Sequence, residues 1–182
     1  MPVICVNPTN SSEKEIVEQL SIQNADLRVF LSDQMEDSFN KSFPGKKAIG
    51  DIFDDTHIST ASHGAFCGVF FEDNESNLRS VFLEAIRDSS LKRILWVSEN
   101  DPSDEILDID NLAYLHHSKY ENLIDQILEL ESKEEIEFGF KEITSCQKNQ
   151  FSKMDQVQER DLFQNFKLKL ILKHNLKIIY QR

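Results

Sequence analysis

The 182-residue chain is poor in glycine, proline and cysteine, with five, four and three of each. So little glycine and proline argues against a loop-rich or extended chain. Cys5, Cys67 and Cys146 are scattered and odd in number, and they lack the CxxC or Cys/His spacing of a metal site. This pattern indicates reduced thiols in a cytoplasmic protein and predicts no bound metal. No apolar run is long enough for a secretory signal or a membrane span, so we expect no membrane association.

Basic residues are also few, 20 against 32 acidic residues, and the net charge is −12. Such a surface repels polyanions, which excludes nucleic acid as a partner. The exception is the segment 167–182, with five basic and no acidic residues. Its leucines and lysines alternate as in a strand, although an amphipathic helix fits nearly as well. This basic end either docks on the chain's own body or on a second subunit, or forms a solvated edge.

Short apolar runs alternate with helical periods along most of the chain. The runs predict strands at 3–6, 27–31, near 48–49, at 66–71 and at 93–97. Helices are predicted from residue 12, where Ser12-x-x-Glu15 fits a capping box, and at 58–63, 77–89 and 118–131. The alternation predicts an α/β fold with a doubly wound parallel sheet between two helical layers over residues 1–130. Residues 131–182 are expected to form an irregular extension of the same domain.

Six segments, in their order and spacing, resemble the atypical short-chain dehydrogenase/reductase superfamily, and most of all its NmrA-like, NAD(P)H-binding branch. Residues 6–13 match a GATGxxG turn, residues 27–33 match the strand whose end selects the cofactor, and residues 50–52 match a GD-hydrophobic signature near the adenine. Residues 67–71 resemble the family's fourth strand, residues 91–98 a KRhhhhS segment that ends in an active-site serine, and residues 117–121 an SKxExE helix start. The resemblance implies a Rossmann fold; a flavodoxin-like or receiver-like sheet is the alternative.

The family's turn carries glycines where this chain has Asn7, Asn10 and Glu13. Those glycines let the backbone turn tightly and approach a pyrophosphate. Asparagine can adopt the left-handed conformation, so Asn7 and Asn10 keep such a turn feasible. The Glu13 carboxylate beside a diphosphate would cost roughly 1 to 4 kcal/mol. We therefore predict either no cofactor or weakly bound NAD(P).

The remaining cofactor-binding candidates lie at three turns. Hydroxyl and amide groups after the first strand offer a weakened anion site, although simple helix capping is the stronger explanation for them. At the end of the second strand, Asp33 would hold a ribose diol and favour NAD over NADP; the alternative is a surface turn. The resemblance places the third turn near an adenine, and a plain loop is the alternative there. The candidates are Asn7, Thr9, Asn10, Ser11, Ser12, Ser32, Asp33, Asp51 and Ile52.

The superfamily's chemistry uses a Tyr-x-x-x-Lys pair with a serine. Here Tyr114 lies five residues before Lys119, which on a helix turns the two side chains apart. The dyad is therefore absent. Ser98, His116 and Lys119 remain as catalytic candidates, with a strand end and a solvated loop as the ordinary explanations for Ser98 and His116.

Three functional hypotheses follow. The first is a degenerate Rossmann-fold protein that acts by binding, through weak nucleotide sensing or protein interaction, rather than by dehydrogenase catalysis. The second is an NAD(P)H-dependent oxidoreductase. The third is a structural subunit of a homo-oligomer.

Overall fold

A computed structural model describes residues 1–23, 26–74, 77–117 and 122–143. Lys119, Cys146 and the basic end 167–182 lie outside the described residues, and so do the predictions made for them. No helix within the described ranges is long and apolar enough to cross a membrane.

Seven parallel strands form one sheet in the described part of the chain, in the order β3-β2-β1-β4-β5-β6-β7. This order confirms the predicted doubly wound sheet and differs from the flavodoxin-like order 2-1-3-4-5. The direction of winding reverses between β1 and β4, which is the place where open α/β sheets bind ligands. The strands are β1 (Val3–Val6), β2 (Leu27–Ser32), β3 (Lys46–Gly50), β4 (Cys67–Phe71), β5 (Arg93–Ser98), β6 (Leu112–His117) and β7 (Gly139–Ile143).

Helices cover both faces of the sheet. Apolar side chains of α1 and α6 pack on one face with Phe39 of α2, and those of α3, α4 and α5 pack on the other. Because β1, β4 and β5 are buried along their whole length, their sequences are continuous apolar runs rather than alternating ones. The helices are α1 (Ser11–Gln23), α2 (Asp37–Ser42), α3 (Asp55–Ser62), α4 (Arg79–Arg87), α5 (Asp104–Leu107) and α6 (Leu123–Ser132).

Two strands were not predicted from the sequence. β6 contains Tyr114 and His116, which the sequence placed in a loop or helix start; this placement was wrong. β7 pairs with β6 and carries the sheet past residue 130 into the segment interpreted as an extension. Since Tyr114 lies on a strand, the side-chain directions predicted for a helix between Tyr114 and Lys119 do not apply.

Arg93 holds the amino end of β5 to the carboxyl end of α6. Its guanidinium is buried and donates to the backbone oxygens of Leu130 and Glu131, both at 2.7 Å, and of Glu134 at 3.2 Å. The cation lies 5.6 Å from the centre of the Phe66 ring. A positive charge at the carbonyl-rich end of a helix is favourable, and here it also satisfies carbonyl groups that the helix leaves unpaired.

A row of stacked aromatic rings crosses four adjacent strands. Phe70, Trp96, Tyr114 and Phe140 occupy paired positions on β4 to β7. Successive ring centres are 6.5, 6.3 and 6.2 Å apart, with the planes inclined by 18 to 25°. These contacts, which we call the aromatic row, link the sheet's centre to its β7 edge.

Cys5 and Cys67 are free thiols inside the core. Burial raises the pKa of both, that of Cys67 to about 12. The two residues therefore pack as small apolar side chains.

Candidate functional site

The turn after β1 adopts the backbone that the missing glycine would have supplied. Asn7 has a φ of 61°, in the left-handed region that asparagine tolerates better than most residues. Its buried side-chain amide donates to the backbone oxygen of Phe71 at 3.1 Å. This bond joins the carboxyl ends of β1 and β4 at the switch point. The conformational prediction for Asn7 is confirmed, whereas Asn10 does not have a positive φ.

Helix α1 begins with a capping box formed by Asn10 and Glu13. Asn10 Oδ1 accepts hydrogen bonds from the backbone nitrogens of Ser12 and Glu13, both at 3.0 Å. In return, Glu13 Oε2 accepts one from the backbone nitrogen of Asn10 at 3.3 Å. The predicted box at Ser12 and Glu15 was wrong by two residues, because Ser12 already lies inside the helix.

The carboxylate of Glu13 also covers the donors of the preceding turn. Its Oε2 accepts from the Thr9 backbone nitrogen at 2.5 Å and from Thr9 Oγ1 at 3.2 Å. Glu13 is only 5% exposed. At a helix amino terminus such donors and the helix dipole attract anions. In this chain the Glu13 carboxylate already accepts hydrogen bonds from the Thr9 and Asn10 donors.

A cleft of about 450 Å³ opens beside this turn, at the carboxyl ends of β1, β4, β5 and β6. Four of its lining residues carry carboxylates, and none of its described lining residues is a lysine or arginine. The lining residues are Thr9, Asn10, Glu13, Glu72, Asp73, Asn74, Glu99 and His117. The cleft lies where a Rossmann fold binds its ligand, and its charge is negative.

Glu72 is fixed from behind the cleft. Its carboxylate oxygens accept from Arg79 Nε at 2.9 Å and Arg79 Nη2 at 3.2 Å, and from Trp96 Nε1 at 2.7 Å. A paired guanidinium and an indole N–H hold this 5% exposed side chain in one orientation.

His117 is the histidine of the cleft, and it was missed in favour of His116. Side chains alternate along β6, so His117 points to the α1 and α6 side while His116 points to the other. His116 lies against the Phe140 ring at 5.9 Å and 3.9 Å from Asp101 Oδ1. Recognising β6 as a strand would have revealed this alternation.

Burial lowers the pKa of His117, against an opposing effect of the Glu99 carboxylate. In the unfolded chain a histidine titrates near pH 6.5 or so. On acidification the unfolded chain therefore binds this proton before the folded chain does, and the folded state loses stability. We expect His117→Asn to flatten the fall in the free energy of unfolding between about pH 7 and about pH 5. Urea unfolding at several pH values measures this effect; a slope unchanged from that of the exposed-site variant His63→Asn would contradict it.

Ser98 lies away from the cleft lining. It is fully buried, and its hydroxyl accepts from the backbone nitrogen of Asn100 at 3.0 Å. The neighbouring Tyr114 hydroxyl donates to the backbone oxygen of Asn100 at 2.7 Å. Burial raises the pKa of Tyr114, although a hydrogen bond with Ser98 opposes the shift. The raised pKa favours the neutral form of this phenol.

The other predicted cofactor residues are engaged locally. Ser32 Oγ accepts from the backbone nitrogen of Gln34 at 3.2 Å, and Asp51 Oδ1 from that of Phe53 at 2.9 Å. Asp33 is exposed and Ile52 is part of the core on the α3 side. Ser11 and Ser12 form the first turn of α1. Of the predicted set, Thr9 and Asn10 line the cleft. No group of three or more potential metal ligands is assembled among the described residues.

No protein-family model matches this chain, and no curated protein matches it significantly. Among solved structures, it is similar to a short-chain dehydrogenase/reductase from Veillonella parvula DSM 2008. The TM-score is 0.55 at 10% identity, covering 74% of this chain and 88% of that one. A short-chain dehydrogenase/reductase of the same organism in complex with NADP gives 0.54, with equal identity and coverage. The chain has a Rossmann fold.

A nucleoside-diphosphate-sugar epimerase from Pseudomonas aeruginosa is matched over 33% of its length and 53% of this chain, with a TM-score of 0.45 and 14% identity. Identities this low establish the Rossmann fold and not an activity.

Proposed function

We propose that this Rossmann-fold protein acts by binding, through weak nucleotide sensing or protein interaction, and not by dehydrogenase catalysis. The observation that carries the proposal is the Glu13 carboxylate seated on the Thr9 and Asn10 donors. A dinucleotide diphosphate would have to displace this carboxylate and then lie beside Glu99, whose charge repels it.

The placement of the catalytic candidates supports the same proposal. Proton transfer needs an acid or base within hydrogen-bond reach of the substrate. Ser98 is buried, the Tyr114 hydroxyl is bound to a backbone oxygen, and His116 faces away from the cleft lining. Their positions favour structural roles over contact with a ligand in the cleft.

Nucleotides are the first ligands to test, because a structural neighbour is described in complex with NADP. We propose that any such binding is weak and favours NAD over NADP, since Asp33 follows β2 where a 2′-phosphate would be repelled. Membership of the NmrA-like branch is part of this proposal.

Calorimetric titration of the full chain with NAD⁺, NADH, NADP⁺ and NADPH tests it. We expect dissociation constants of about 1 mM or weaker, and no oxidation of NADH or NADPH with quinone, flavin or carbonyl acceptors. Micromolar binding of any of the four would contradict the proposal, and so would turnover that disappears in Ser98→Ala.

The rival function, an NAD(P)H-dependent oxidoreductase, is favoured by one observation. His117 lines the cleft, and imidazole is the side chain best suited to exchange a proton near neutral pH. That function requires turnover lost in His117→Asn and retained in His63→Asn.

A further inference from the structure

The two edges of the sheet each expose a pair of large apolar side chains. At the β3 edge, Ile49 and Phe53 are 57% and 51% exposed. At the β7 edge, Phe138 and Phe140 are 43% and 48% exposed. Within the described residues each of these strands pairs with one neighbour, so β3 and β7 are the two edge strands of this sheet.

The charges of the two edges are opposite. Residues 41–50 contain three lysines and no acidic residue, whereas residues 133–142, which include most of β7, contain four glutamates and two lysines. The three lysines and the three glutamates that precede β7 are exposed: Lys41, Lys46, Lys47, Glu134, Glu135 and Glu137. Lys46 and Lys41 pair with Asp26 and Asp37 in solvent-exposed contacts of small energy, while Lys47 contacts the backbone oxygen of Lys41.

These charges lie at the same end of the sheet. Lys46 and Lys47 begin β3, and Glu137 comes two residues before β7. Because both strands run in the same direction, a second copy that continues the sheet from β7 places its lysines beside these glutamates. Parallel pairing of β3 with β3, or of β7 with β7, would instead oppose like charges and is disfavoured.

A groove beside β3 gives an apolar side chain of the second copy a place to bind. It has a volume of about 270 Å³ and is lined on one side by Ala48 and Ile49 and on the other by Thr60 and Ala61 of α3. Its walls are mainly apolar.

We propose that the β3 edge of one copy docks on the β7 edge of a second copy, in a head-to-tail contact. Such a contact uses two different surfaces of each chain, so one copy can bind a neighbour at each edge. Its formation does not depend on what the acidic cleft binds.

Sedimentation equilibrium of the full-length chain from about 10 µM to about 1 mM tests the proposal, with circular dichroism confirming that each variant is folded. We expect the native chain to associate as concentration rises. Ile49→Asp places a carboxylate on the basic edge, and Phe138→Lys places an ammonium on the acidic edge. Each alone should weaken association at least about tenfold. Ile22→Asp, at a 76% exposed position on α1, is the matched control and should associate like the native chain.

The decisive sample is an equimolar mixture of Ile49→Asp and Phe138→Lys. Each variant retains one native edge, so the mixture should recover association that neither shows alone. A native chain that stays monomeric throughout, single variants that associate normally, or a mixture that remains monomeric would each overturn the proposal.

Discussion

Arg93→Met is expected to lower the free energy of unfolding by about 3 kcal/mol. Methionine has a similar length and keeps the apolar contacts of the stem, so the change isolates the guanidinium. Its loss leaves the backbone oxygens of Leu130, Glu131 and Glu134 without this donor. A hydrogen bond from a charged donor contributes about 1.5 to 3 kcal/mol, and the losses within one cluster are not additive. Urea unfolding followed by circular dichroism measures the difference.

Arg87→Met is the matched control. Arg87 lies at the end of α4, and its partner Glu84 is exposed, so the pair is worth at most about 1 kcal/mol. Equal destabilisation by the two variants would show that Arg93 does not hold α6 to the sheet.

Glu13→Ala is expected to strengthen NADH binding by about tenfold or more. The substitution removes a charge whose repulsion of a diphosphate is roughly 1 to 4 kcal/mol, and about 1.4 kcal/mol corresponds to a factor of ten. It also releases the Thr9 and Asn10 backbone donors. Loss of the capping box should lower the free energy of unfolding by about 1 kcal/mol. Titration calorimetry and urea unfolding measure the two effects.

Two further variants separate charge from geometry. Glu13→Gln keeps the side-chain length and an accepting oxygen, so it should give a smaller gain in affinity than alanine. Glu15→Ala, at an exposed position of the same helix, should leave affinity unchanged. Failure of Glu13→Ala to bind NADH more tightly than Glu15→Ala would show that this carboxylate is not what excludes the nucleotide.

The central strands of the sheet could be predicted from their local sequence. β1, β4 and β5 are continuous apolar runs because helices cover both of their sides. β6 ends in two histidines and follows an acidic loop, and β7 is five residues long with only two large apolar side chains. Their strand character comes from pairing at the end of an existing sheet, which is a tertiary effect that local sequence does not report.

Within the site, the sequence predicted the chemical groups at the turn after β1 better than it predicted where the site residues lie. The carboxylate opposed to a diphosphate follows from the residue type at position 13. Asparagine permitted a left-handed backbone at both position 7 and position 10, and of these two only Asn7 adopts it. The exact start of α1 does not, because Asn10, Ser11 and Ser12 are all good capping residues and only the fold selects among them. The cleft carboxylates Glu72 and Glu99 come from separate strands, and only the strand order brings them together.

The aromatic row gives this protein an internal optical reporter. Trp96 is the single tryptophan of the chain, it is shielded from water, and its indole N–H is bound to the Glu72 carboxylate. Its emission therefore reports on the middle of the sheet. A ligand that draws the Glu72 carboxylate into the cleft would break the indole hydrogen bond and change the fluorescence spectrum, with no label attached.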